Sequence, residues 1–141
     1  MKILIAALLI IHGFIVASQS SSSFNPTGGV NNPAWLNWWP ANLGQSWLLS
    51  PLGVERTLAA RAGGYLWLIA GTALLAAGFS VMGFIVPQTW WRSLALIGAV
   101  ISLFMLSIYL HPLYAIGISA SVVLLIALLW EGWPLLGRFG L

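Results

Sequence analysis

Four apolar runs, separated by polar or turn-rich segments, set the frame of this chain. They cover residues 3–17 (ILIAALLIIHGFIVA), 65–86 (YLWLIAGTALLAAGFSVMGFIV), 93–110 (SLALIGAVISLFMLSIYL) and 113–130 (LYAIGISASVVLLIALLW). No charged residue falls inside any of them. A helix that crosses a bilayer needs about 20 apolar residues. Backbone polar groups in hydrocarbon must pair within their own segment, so helix is the expected form of each run. The pattern predicts membrane helices over 3–20, 65–86, 93–110 and 113–130, with a polar tail over 131–141. The first run also reads as a secretory signal peptide, because Lys2 precedes it and "VAS" with a serine run follows it. A retained helix is the preferred reading.

The connections differ in length. "PQTWWR" (87–92) and His111-Pro112 are short, which makes antiparallel neighbours and an up-down four-helix bundle. The loop over 21–64 is long. The flexible "SQSSSS" (18–23) leads from the first helix into it, and "NPTGG" and "NNP" turns follow. Ser50-Pro51 then resembles a helix start, predicting a short helix over 51–62. Gly63-Gly64 is expected to turn the chain into the second membrane helix.

Composition makes the membrane reading firm. Hydrophobic residues make up 60% of the 141 and charged residues 5%. Soluble domains carry roughly 25% charged residues. The net charge of +3 rests on seven charged residues, with no basic patch to track phosphates, so nucleic acid is not an expected partner. With the N-terminus in the cytoplasm, Lys2, Arg92 and Arg138 lie inside, against Arg56 and Arg61 outside. The positive-inside rule then favours both termini in the cytoplasm, in the plasma (inner) membrane of a prokaryote. Two aromatic belts follow: Trp90, Trp91, Trp130 and Trp133 at one interface, Tyr65, Trp67, Tyr109 and Tyr114 at the other.

The stretch 34–47, AWLNWWPANLGQSW, holds Trp35, Trp38, Trp39 and Trp47 and no charge. It is expected to lie in the outer interface, to dock another membrane subunit, or to cap a small-molecule pocket. Pairs of small residues at four-residue spacing predict close helix packing: Ala73 and Ala77, Ala95 and Ala99, Gly98 and Ser102, Gly117 and Ser121.

Candidate chemistry is sparse. The chain has no cysteine and no aspartate, and its two carboxylates are Glu55 and Glu131. That excludes a Ser-His-Asp triad and thiolate metal sites, and no metal site is expected. His12 and His111 are the candidate cofactor contacts. Imidazoles can ligate haem iron, and His12 can hydrogen-bond a quinone carbonyl. The bland alternative is that His12 bonds a neighbouring helix and His111 caps a turn.

The order of "LLIIHGF" (8–14), "GGYLWLIAGTALLAAG" (63–78), "WWRSLALIGAVISL" (90–103) and "HPLYAIG" (111–117) resembles the DoxX-like family of small four-helix membrane proteins. The resemblance implies a four-helix bundle and a possible link to quinone redox chemistry, with His12 and Gly13 as the positions carried over. The long tryptophan-rich loop departs from that family's pattern. Two functions are therefore expected. One is a non-catalytic accessory subunit of a larger complex, respiratory or photosynthetic, packing through its helices and loop. The other is a quinone-interacting redox protein.

Overall fold

The computed structural model describes residues 2–24, 46–112 and 114–129. In these it is all-helical, with four α-helices: α1 (Lys2–Ser18), α2 (Arg56–Val81), α3 (Trp91–Ile108) and α4 (Tyr114–Leu129). Short 3-10 helices continue α1 over Gln19–Phe24 and precede α3 over Gln88–Trp90. The first three helical segments are long and apolar enough to cross a membrane. The described part of α4 has sixteen residues, about 24 Å of helix.

The backbones of α1 and α2 nearly touch. A Cβ placed on Gly71 would lie 2.5 Å from the Ala17 backbone nitrogen, and one on Gly13 would lie 2.8 Å from that of Leu75. Glycine is what permits this approach, and close approach gains dispersion energy where lipid offers no hydrophobic drive. On the other face of α2, a Cβ on Gly98 would lie 3.0 Å from the Ala70 carbonyl oxygen, so α3 packs in the same manner. The buried core runs along one stripe of α2 at 3.6-residue period: Ala60, Trp67, Ala70, Leu74, Ala77 and Val81. Of the small residues singled out in the sequence, Ala73, Ala77, Ala95, Gly98, Ala99, Ser102 and Ser121 are buried and Gly117 is half-buried.

Three expectations are corrected. The short helix over 51–62 and the turn at Gly63-Gly64 do not form. Residues 47–53 are turns, and α2 runs unbroken from Arg56 through both glycines. Gly63 lies under the Tyr109 hydroxyl and Gly64 under the Ser23 side chain, so both serve packing rather than chain reversal. Their intrinsic helix penalty, about 1 kcal/mol each, is offset by those contacts. Ser50 starts no helix; its hydroxyl accepts from the Ser46 backbone N–H at 3.1 Å. The second membrane helix stops at Val81 rather than residue 86. Gly83 takes φ +69°, its N–H donates to the Ser80 carbonyl, and the Phe84 N–H donates to that of Phe79. That pair of bonds is a Schellman C-terminus. Finally, Trp67 is fully buried and belongs to no interfacial belt. Trp91, Tyr109 and Tyr114 are also buried, while Tyr65 and Trp90 are exposed.

Candidate functional site: an apolar cavity beneath His12

α4 is held differently from the other helices. Its close backbone approaches are chiefly to α3, and it buries two residues, Tyr114 and Ser121. A cavity of about 260 Å³ remains between it and the α1–α2 pair. His12, Ile15, Val16 and Gln19 of the first segment line one wall. Tyr114, Ile116, Gly117 and Ala120 of α4 line the opposite wall, with Trp67 and Leu106 between them.

The position of His12 follows from its neighbour. Gly13 is the residue pressed against α2, so the preceding position is rotated by about 100° toward α4. His12 Nε2 and Ser121 Oγ then lie 3.4 Å apart, a long hydrogen bond across the gap in which either partner can donate according to the imidazole tautomer. Ser121 is fully buried.

Trp67 is the unusual member. Its indole N–H is buried and has no hydrogen-bond acceptor among the described residues. Leaving such a donor unmade typically costs about 1–3 kcal/mol. The cavity walls are otherwise almost wholly apolar, with His12, Gln19, Tyr114 and Trp67 as the polar side chains. A few polar groups in an apolar concavity is the usual make-up of a small-molecule site.

His111 does not share this cavity. It stands at the α3–α4 turn, with its ring tilted against that of Tyr114 at a centroid distance of 5.7 Å. His12 and His111, paired in the sequence as possible haem ligands, therefore take separate places. Among the described residues no three His, Asp or Glu side chains converge as a metal site would require.

Trp35, Trp38 and Trp39 lie outside the described residues. Trp47 is described, and it is bound to the end of α3. Its indole N–H donates to the Ser107 carbonyl at 2.8 Å. The adjacent Ser46 hydroxyl donates to the Ile108 carbonyl at 2.7 Å and accepts from the N–H groups of Leu48 and Leu49. The last carbonyls of a helix have no partner within it, and this turn supplies one for two of them. Nearby, the Tyr109 hydroxyl lies 3.4 Å from the Ala59 carbonyl.

Sequence reasoning singled out His12 as a cofactor contact, gave Gly117 and Ser121 only as helix-packing positions, and missed Trp67, Gln19 and Tyr114 as cavity residues. The signal for Trp67 was its place in the stripe Ala60–Trp67–Ala70–Leu74–Ala77, which points a tryptophan into the bundle rather than to its surface. No family model, curated protein or solved structure matches the chain. The class defined by fold and site is a membrane-compatible four-helix bundle with an open apolar cavity between α1 and α4.

Proposed function

We propose that this chain is an integral membrane protein that binds a quinone-class molecule, a flat apolar ring bearing carbonyl acceptors, in the His12–Trp67 cavity. The observation that carries the reading is an apolar cavity with His12 in its wall and, beside it, Trp67, a buried indole whose N–H has no acceptor among the described residues. A ring carbonyl would accept from His12, and would reach the Trp67 N–H, which has no accessible surface as the wall now stands, through a shift of the indole into the cavity. The volume, about 260 Å³, lies just under the usual range for small-molecule sites, so it would take a single ring headgroup with the tail left outside. An apolar tail would leave between α1 and α4, past Ile15 and Ile116, which are both exposed. The resemblance to DoxX-like proteins points the same way. A short-chain quinone titrated calorimetrically into the purified protein tests the reading. One saturable site is expected, weakened about tenfold by Trp67→Phe, the loss of one hydrogen bond to a buried donor. Absence of saturable binding to the wild-type protein would sink it.

A second reading has its own observation. The described part of α4 buries two residues, whereas α2 buries thirteen. Such a helix is available to a partner helix, which supports an accessory subunit packed in a larger membrane complex through α4 and the loop of Trp35, Trp38 and Trp39. Isolating the C-terminally tagged chain from native membranes in mild detergent tests this. A stoichiometric complex supports it, and recovery of the chain alone removes it.

A further inference from the structure

A second cavity, of about 300 Å³, opens at the end of the bundle where α1 finishes and α2 begins. It has a different chemistry. Ser20, Ser23, Thr57 and Arg61 form its polar part, with Tyr65 and Leu68 on its apolar side. Residues 57, 61, 64, 65 and 68 repeat at helical spacing, so one face of α2 supplies most of the cup. Its floor is Gly64, where the absence of a side chain lets Ser23 rest on α2. Ser23 is fixed there by donating its hydroxyl proton to the Ser20 carbonyl at 2.7 Å.

We infer that this cup binds the phosphate of an anionic phospholipid, with Arg61 as the principal contact and the Thr57 and Ser20 hydroxyls beside it. Depth supports a lipid. Arg61 lies twenty residues from Val81 along α2, about 30 Å, which is the thickness of a hydrocarbon core. The guanidinium thus stands at headgroup level when the rest of α2 spans the membrane. Arg61 is exposed and has no ion-pair partner among the described residues. Guanidinium and hydroxyl donors suit phosphate oxygens, since the planar fork can engage two of them at once. Two turns further in, exposed Leu68 continues the cup as an apolar track that an acyl chain can follow and a free phosphate cannot use. A zwitterionic headgroup carries its own ammonium, which competes with Arg61 for the phosphate. The site therefore selects net negative charge. It is separate from the His12–Trp67 cavity and requires only that α2 spans the membrane.

The test is native mass spectrometry of the full chain released from nanodiscs of mixed phosphatidylglycerol and phosphatidylcholine. The wild-type protein should retain one phosphatidylglycerol, enriched about fivefold over its share of the bilayer, as a surface cation worth about 1 kcal/mol would give. Arg61→Gln should abolish the enrichment. Arg56→Gln, one turn away and outside the cup, should keep it. Equal retention by the wild type and Arg61→Gln would overturn the assignment. So would equal losses in both arginine variants, which would mean a diffuse charge effect. Displacement of the lipid by millimolar inorganic phosphate would also overturn it, by showing that the acyl chain contributes nothing.

Discussion

The α1–α2 seam and the α1–α4 gap present opposite solutions on two sides of one helix. Toward α2, α1 offers Gly13 and Ala17, and the backbones meet with no room for another carbon. Toward α4, the same helix offers His12, Ile15 and Val16, with Gln19 just beyond its end, and about 260 Å³ stays open. The chain contrasts with a soluble core, in which voids are filled because water drives apolar groups together. In lipid the seam must be earned by close fit, and a helix without small residues at the contact is held at a distance. The loosely held side is where a ligand can enter, and the seam is what keeps the other wall fixed.

The seam is the harder of the two to alter. Gly71→Leu drives a side chain into the Ala17 backbone, which cannot yield as a side chain could. Overpacking typically costs about 1–3 kcal/mol, and this variant belongs at or above the top of that range. Its thermal melt in detergent should fall steeply, with aggregation on size-exclusion chromatography. Thr72→Leu, at the next position, faces away from the core; the Thr72 hydroxyl bonds only its own helix at Leu68 and Ile69. It should melt near the wild-type temperature. Equal melting of the two variants would refute the seam as the principal contact.

The gap should respond in binding rather than in stability. Ala120→Leu puts three further carbons into the cavity from an exposed position on α4. It should abolish quinone binding with little change in melting temperature. Trp67→Phe should weaken binding about tenfold while leaving the cavity open. If Ala120→Leu binds as the wild type does, the ligand lies elsewhere.

How much of this was readable in advance depends on the kind of signal. Four helices were legible because charge-free runs of bilayer length have few other forms. Gly63-Gly64 misled, because the same absence of a Cβ serves a turn or a close contact, and the partner that decides, Tyr109 or Ser23, is remote in sequence. The end of α2 was encoded in Gly83 as the left-handed residue of a C-terminal cap, but the apolar run 84–86 concealed it. At the site, His12 stood out as the ionisable group within an apolar run. Trp67 did not, because tryptophan near a helix end ordinarily marks the interface, and only the full α2 stripe places it inside.

The tie between the loop and α3 should be weaker than the seam. Ser46→Ala removes the donor to the Ile108 carbonyl and the acceptor for two backbone N–H groups, in a buried position. A loss of about 1–2 kcal/mol is expected in thermal or denaturant unfolding. Trp47→Phe, at an exposed side chain with one bond to Ser107, should lose less. The reverse order would mean that the indole's contact area, rather than the serine hub, holds the loop.

The smallest effect is expected at the link across the gap. His12 and Ser121 are 3.4 Å apart, at the long end for a hydrogen bond. Measured hydrogen bonds between membrane helices average about 0.6 kcal/mol, and a long one should contribute less. Ser121→Ala should therefore melt close to the wild type. Its consequence should appear in the cavity, because it releases His12 from its partner on α4 and frees the imidazole for a ligand carbonyl. Quinone affinity in Ser121→Ala should be unchanged or modestly higher. A fall of tenfold or more would show that Ser121 orients His12 for the ligand, and would make the pair, rather than Trp67 alone, the centre of recognition.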